Sequence, residues 1–180
     1  MTYLKYNGEQ IAESGAADGV QLWGSISGEI LSGDNLNDIF GGVSGDTLIG
    51  GTGDNRYYLY GNNIAIIQGS TGTNTVTAWM DYTLPSNIQN LTVSGDGLYA
   101  AGNGLDNLIT VGDTNQMTLY GAGGANVLVG GAGSDTFVID ATPGSNAIYN
   151  FHGGDKIELL NATFSSFAEL QAQLMQRGSD

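Results

Sequence analysis

Acidic and amide side chains recur at one place in a glycine-rich pattern of nine residues. The pattern is G-G-x-G-x-D-x-U-x, where U is a large apolar residue, and residues 130–138 satisfy every position of it. Four more words in the same phase begin at residues 41, 50, 69 and 121. The sixth position of the five words holds Asp46, Asn55, Asn74, Asn126 and Asp135. A glycine turn exposes carbonyl oxygens that have lost strand partners, and calcium binds carbonyl and carboxylate oxygens. Each acidic turn is therefore a candidate half-site for calcium.

Short strands must position these turns. The last three residues of each word favour a strand, and a strand has a side-chain period of two, so the U side chain points inward. The five predicted inward residues are Leu48, Tyr57, Val76, Leu128 and Phe137. Two words make one coil, so equivalent turns should lie about eighteen residues apart. The sequence predicts an all-β fold, a parallel β-roll of two short-stranded sheets.

Two further segments identify a family likeness. Residues 82–85 (YTLP), 89–93 (QNLTV) and 102–107 (GNGLDN) closely resemble the segment that links repeat blocks in RTX, or haemolysin-type, proteins. Residues 148–159 resemble the segment that closes such blocks, with Asn150 at a place where the family usually has aspartate. The resemblance covers most of residues 30–160. It implies an RTX-type β-roll in an exported bacterial protein, with calcium driving or completing its folding.

The resemblance also implies the ligands. In the family, turn carbonyls and acidic side chains two words apart hold each ion. The best predicted sites pair Asp38 with Asn55 and Asp135 with Asp155, whereas Asp46 has only neutral neighbours in the next coil. The predicted metal ligands are Asp38, Asp46, Gly50, Thr52, Asn55, Gly130, Ala132, Asp135 and Asp155. In the neutral turns, the interpretation favoured over an ion is an asparagine that hydrogen-bonds the turn backbone.

Three aromatic residues are predicted to lie on the outside of one sheet. If Tyr57 and Val76 point inward, alternation places Tyr58, Tyr60 and Trp79 outward. Nineteen residues, about one coil, separate Tyr60 from Trp79, so these two rings should lie on adjacent strands roughly 5 Å apart. Exposed rings on a rigid sheet can stack on sugar rings, and the alternative is packing against a cap or a neighbouring domain.

The chain divides into three predicted regions. Residues 1–32 are expected to form an N-terminal cap with irregular coils, and residues 33–160 the β-roll. Residues 161–180 contain a capping box at Ser166–Glu169 and an amphipathic pattern that predicts a short helix, Phe167–Arg177, over the end of the stack.

Composition limits the partners and the location. With 18 acidic and four basic residues the formal charge is −14, which argues against nucleic acid and anionic membranes as partners. The 180 residues include no cysteine, no apolar segment long enough to insert into a membrane and no recognisable N-terminal signal. We therefore expect part of a larger secreted bacterial protein, exported to the extracellular space without a cleaved N-terminal signal.

No catalytic constellation stands out in the sequence. His152 is the only histidine and has no nucleophile motif beside it, and a pair of carboxylates for glycoside hydrolysis can be chosen from the acidic residues in many ways. The expected function is a non-catalytic, calcium-binding module that binds extracellular polysaccharide, and not an enzyme. The alternative is a structural spacer, or a module for folding and secretion, in a secreted enzyme or adhesin.

Overall fold

In a computed structural model, the chain forms an all-β solenoid of stacked, mostly parallel strands. The structure describes residues 3–6, 9–12, 19–68, 71–112, 116–140, 144–161, 166 and 168. The strands are β1 (Tyr3–Tyr6), β2 (Glu9–Ala12), β3 (Gln21–Trp23), β4 (Ile30–Ser32), β5 (Ile39–Gly42), β6 (Thr47–Gly51), β7 (Arg56–Leu59), β8 (Ala65–Gln68), β9 (Thr75–Ala78), β10 (Tyr82–Thr83), β11 (Asn90–Val93), β12 (Leu98–Ala101), β13 (Leu108–Val111), β14 (Met117–Tyr120), β15 (Gly124–Val129), β16 (Thr136–Asp140), β17 (Gly144–Tyr149) and β18 (Lys156–Leu160). The predicted fold class is confirmed.

The chain passes alternately between two faces. The odd-numbered strands from β3 to β17 form one eight-stranded sheet, and the other strands form two five-stranded sheets, β1-β2-β4-β6-β8 and β10-β12-β14-β16-β18. Among the described strands, β1 and β2 are antiparallel and every other pair is parallel. The hydrogen-bonded polar residues of successive coils lie fifteen to twenty positions apart, which brackets the predicted interval. No described helix is long and apolar enough to cross a membrane.

The core is a set of inward rows along the coil axis. All five predicted inward residues are 0 % exposed. Tyr57 stacks on Phe40 of the preceding coil, with ring centroids 5.1 Å apart and planes 8° apart. Burying each such side chain contributes about 1.5 to 3 kcal/mol. Packing between coils therefore stabilises the stack.

Glycines at the turns allow the coils to stack closely. Gly53 has a φ of 91°, and a Cβ there would lie 2.1 Å from the carbonyl oxygen of Leu36 in the preceding coil. Gly72 has a φ of 87°, and a Cβ there would lie 2.0 Å from the carbonyl oxygen of Gly53. A side chain at either position would be strained and would separate the coils.

The predicted boundary at residue 33 does not interrupt the sheets. β3 and β4 precede residue 33, yet they pair with β5 and β6, so both sheets continue across that predicted boundary. The predicted capping helix lies outside the described residues apart from Ala168, and it stays a prediction.

Candidate functional site

One turn edge of the solenoid, which we call the amide edge, precedes the eight-stranded sheet. Its buried polar residues are Asp38, Asn55, Asn74, Asn107 and Asn126, and Gln89 accepts the N–H of Asn74 in the coil between Asn74 and Asn107. The side-chain oxygen of Asn55 accepts the backbone N–H of Asp38 at 2.8 Å, and that of Asn74 accepts the N–H of Asn55 at 2.9 Å. The side-chain oxygen of Asn126 accepts the N–H of Asn107 at 2.9 Å. The amide edge therefore links neighbouring coils by buried hydrogen bonds.

The amide nitrogens of this edge satisfy the turn carbonyls. Nδ2 of Asn55 donates to the carbonyl of Thr52 at 3.2 Å and to that of Gly53 at 3.3 Å. Nδ2 of Asn126 donates to the carbonyl of Gly123 at 3.2 Å. These turns match the interpretation in which asparagine hydrogen-bonds the turn backbone. The carbonyl of Thr52, a predicted metal ligand, already accepts an N–H.

The opposite turn edge, the carboxylate edge, precedes the five-stranded sheets and contains Glu29, Asp46, Asp135 and Asp155. Asp46 accepts the N–H of Glu29 at 2.9 Å and that of Val43 at 2.8 Å. Asp135 accepts the N–H of Met117 at 2.9 Å and that of Gly131 at 2.8 Å. A carboxylate has no N–H to donate. The turn carbonyls on this edge are left to other donors, to water or to a cation; the Val43 carbonyl, for example, accepts the N–H of Asp46 at 3.1 Å.

The turn at Asp38 has the features of a cation site. Its carboxylate accepts the N–H of Val20 at 2.9 Å and that of Asp34 at 3.1 Å. Burial, with a smaller contribution from the Asp34 carboxylate, raises the pKa of Asp38 to about 6. Oδ2 of Asp34 is buried and has no hydrogen-bond partner among the described residues. A buried, partnerless carboxylate oxygen beside a second carboxylate fits calcium, which would be held by Asp34 and Asp38.

Sequence reasoning missed Asp34. This residue lies in the shortened word GDNLNDIF, in which only Asp38 occupies the acidic position of the repeat. The signal that could have found it is the second aspartate four residues earlier in the same tight turn. Gly33 provides the room, because a Cβ there would lie 1.9 Å from Oδ2 of Asp38.

The turn at Asp135 and Asp155 is different, because donors already fill it. Nδ2 of Asn150 donates to the carbonyls of Gly130 and Gly131, both at 2.9 Å. Nε2 of His152 lies 2.9 Å from the Gly131 carbonyl. That carbonyl raises the pKa of His152, and the Asp155 carboxylate adds to the effect. Three hydrogen bonds from Asn150 and His152 occupy the Gly130 and Gly131 carbonyls that a cation would contact, so these residues do not fit calcium.

The remaining predicted ligands contribute little to either turn. Gly50 is buried within β6, and Thr52 and Ala132 are exposed. The hydroxyl of Thr52 donates to the carbonyl of Asn35 at 2.9 Å. Among the residues that the structure describes, no group of three His, Cys, Asp or Glu side chains is arranged to hold a metal ion.

A strip of stacked aromatic side chains, the aromatic strip, crosses the outer face of the eight-stranded sheet. It consists of Trp23, Tyr58, Tyr60 and Trp79. Tyr60 and Trp79 stack with centroids 5.0 Å apart and planes 11° apart. The ring centroid of Trp23 lies 6.1 Å from that of Tyr58 and 6.4 Å from that of Tyr60. The exposed fractions are 43 % for Trp23, 53 % for Tyr60 and 45 % for Trp79.

Two features of the strip were not foreseen. Trp23 was missed because it lies outside the nine-residue words; it leans over Gly41, where a Cβ would lie 2.0 Å from the indole. Nearly parallel rings with centroids 5.0 Å apart are offset-stacked, since coplanar rings cannot approach so closely. The neighbouring rings therefore cover part of each other's faces instead of forming one flat surface.

Comparison with known proteins gives two curated relatives. The chain is 39 % identical to the endo-1,3-1,4-beta-glycanase ExsH of Rhizobium meliloti (strain 1021), over 99 % of this chain and 37 % of that protein. It is 36 % identical to the endo-1,3-1,4-beta-glycanase EglC of the same strain, over 98 % of this chain and 37 % of that protein. The chain thus spans a little over a third of the length of either relative. No protein-family model matches it, and no solved structure does.

These names correct the functional predictions. Both relatives are named as glycan-cleaving enzymes, so the predictions that the chain is a non-catalytic module and that it is not an enzyme are wrong. The sequence led to that error because the conspicuous repeat is a scaffold motif and leaves no acid-base pair recognisable. The prediction of a polysaccharide partner agrees in its coarse form with both names.

Proposed function

We propose that this chain is part of an endo-1,3-1,4-β-glycanase and that its aromatic strip holds the polysaccharide during hydrolysis. The observation that carries the proposal is the strip itself, four aromatic side chains in contact across one face of a rigid sheet. Aromatic rings stack against the apolar faces of pyranose sugars, and large exposed apolar groups of this kind usually mark a contact surface. The names of the two relatives supply the substrate class.

Charge supports the same substrate. The chain has a formal charge of −14, so it would repel an anionic polymer at low ionic strength. An uncharged β-glycan would not be repelled. The strands of the eight-stranded sheet that surround the strip present Thr75, Thr77, Asn90 and Thr92 as hydrogen-bonding neighbours for sugar hydroxyls.

Hydrolysis of a glycosidic bond needs an acid and a base or nucleophile, usually two carboxylates that flank the bond. Six strands of the eight-stranded sheet contain no Asp or Glu among their described residues: β3, β5, β7, β9, β11 and β13. The strip is therefore assigned to holding the substrate, and the acid-base pair lies away from these strands.

Viscometry of a 1,3-1,4-β-glucan solution tests the proposal on the protein that carries this chain at its natural length. Endo-cleavage is expected to lower the viscosity well before many reducing ends appear. Replacing both Trp23 and Trp79 by alanine should raise KM for the polymer and leave hydrolysis of a short oligosaccharide unchanged. An unchanged viscosity would overturn the proposal, and an unchanged KM would remove the strip from it.

RTX membership, calcium dependence and an extracellular location stay predictions, because the names of the relatives do not mention them. The first two depend on the repeat pattern and on the Asp34–Asp38 turn.

A further inference from the structure

A step in the surface lies directly beside the aromatic strip. Tyr60 and Trp79 occupy the same outward position on successive coils, just after β7 and β9. The next two residues of that row are Ser94 and Gly112, whose N–H groups donate to Ala78 and Val93. The row therefore changes from two large rings to a small side chain and then to no side chain at all.

This change in size leaves one indole face open. One face of Trp79 is stacked on Tyr60 of the preceding coil. The other face points along the solenoid axis, over Ser94 and Gly112, where no large side chain of the row follows. Trp79 is 45 % exposed, in agreement with an open face.

Hydroxyl groups border the step. Thr77 and Thr92 pair directly with each other on β9 and β11, on the neighbouring outward row. The Cγ2 atom of Thr92 would lie 3.2 Å from a Cβ at Gly112, so Thr92 stands at the floor of the step. An apolar ring face beside hydroxyls is the combination that a pyranose needs, because its C–H face is apolar and its rim is polar.

We propose that this step, formed by Trp79, Thr77, Thr92, Ser94 and Gly112, is a subsite for one pyranose unit of an uncharged β-glycan. The inference rests on the proposed function and narrows it from the whole strip to one indole face. A pyranose stacked on this face has its ring plane perpendicular to the solenoid axis, so a β-linked glycan chain would extend in the direction of the strands. The net negative charge of the chain favours an uncharged glycan over a uronic-acid polymer at low ionic strength.

Tryptophan fluorescence tests the subsite directly, since the chain has two tryptophans, Trp23 and Trp79. Each is kept as the sole tryptophan in a Trp79→Phe or Trp23→Phe variant of the 180-residue chain, and 1,3-1,4-β-gluco-oligosaccharides are titrated in. A saturable change is expected from Trp79 and none from Trp23. In the Trp23→Phe background, Ser94→Leu fills the step and should weaken affinity about tenfold, or about 1.4 kcal/mol. Ser86→Leu is the matched control, because Ser86 is exposed in a turn away from the row.

The outcomes separate this inference from the proposed function. A response from Trp23 but not Trp79, or full affinity in Ser94→Leu, overturns the subsite even if the protein still cleaves glucan. Equal binding of polygalacturonate overturns the assignment to an uncharged glycan. If the unmodified protein neither cleaves nor binds the glycan, the proposed function is refuted as well. Circular dichroism and thermal melting of each variant show whether a weakened affinity reflects unfolding.

Discussion

The two turn edges of the solenoid hold their coils together with different side chains. On the amide edge, Asn55 and Asn126 each accept an N–H from the preceding coil and donate Nδ2 to carbonyls of their own turn. On the carboxylate edge, Asp46 and Asp135 accept two N–H groups each and donate none. An asparagine therefore closes a turn alone, whereas an aspartate leaves the carbonyls to a second partner.

At one turn of the carboxylate edge, two other side chains donate hydrogen bonds to the turn carbonyls. Asn150 and His152 provide the N–H groups for Gly130 and Gly131. At the head of the amide edge, by contrast, Asp34 keeps a buried oxygen without a described partner beside Asp38. From this comparison we predict that calcium binding is decided turn by turn, by which groups face the carbonyls, and not by the repeat as a whole.

The largest expected effect comes from breaking the amide edge. Asn55→Leu keeps the volume but removes the acceptor for the Asp38 N–H and the donor for two turn carbonyls. Buried groups left without partners cost about 1 to 3 kcal/mol each, so we expect the free energy of unfolding to fall by roughly 3 kcal/mol or more. Urea unfolding measures it, with Asn62→Ala, at an exposed position, as the control. A loss below about 1 kcal/mol would show that the amide edge is dispensable.

The second prediction concerns the Asp135–Asp155 turn, which one substitution should convert into a cation site. Asn150→Asp replaces two donated hydrogen bonds by a negative charge facing the Gly130 and Gly131 carbonyls, so the variant should be destabilised in chelator. Calcium at a hundred times its Kd should restore about 2.7 kcal/mol. Melting temperatures in chelator and in millimolar calcium measure the gain, with Asn150→Ala as the variant that cannot bind an ion. A calcium response from Asn150→Asp no larger than that of Asn150→Ala would contradict the view that Asn150 stands in for a cation.

The third prediction concerns how the free energy of unfolding depends on pH at the Asp34–Asp38 turn. Because the folded pKa of Asp38 is raised to about 6, its contribution to stability is present below the unfolded pKa of about 3.9 and is lost as pH rises through 6. Asp34→Asn removes one source of the raised pKa of Asp38. The decrease in the free energy of unfolding between pH 4 and 7 should therefore be smaller in this variant, by on the order of 1 kcal/mol. Urea unfolding in chelator at several pH values measures this. Parallel pH profiles for the two proteins would show that the carboxylates do not interact.

The smallest expected effect concerns His152, which is partly exposed. His152→Ala removes the ring N–H that faces the Gly131 carbonyl and should lower the free energy of unfolding by less than the three changes above. His152→Gln retains a donor and should recover part of that loss. Thermal melts of the three proteins at the same pH check the prediction, and a His152→Gln variant no more stable than His152→Ala would argue against it.

The sequence by itself determined the architecture. Glycine spacing, with Leu48, Tyr57 and Phe137 at one phase of the repeat, is enough to specify parallel coils, because each word is a local rule for a turn and an inward side chain. It also placed Tyr60 and Trp79 on the outside through strand alternation. The prediction of a polysaccharide partner followed from those exposed rings.

Only the tertiary structure decided what faces each turn and each ring. Asn150 donates to carbonyls nineteen and twenty residues earlier, and Trp23 reaches Tyr58 across Gly41. Such contacts depend on the register between coils, which varies from fifteen to twenty residues and therefore cannot be read from a nine-residue rule. The sequence could thus predict a glycine turn that is able to hold calcium, while the stacking of neighbouring coils determined whether an amide, a histidine or a free carboxylate oxygen lies beside it.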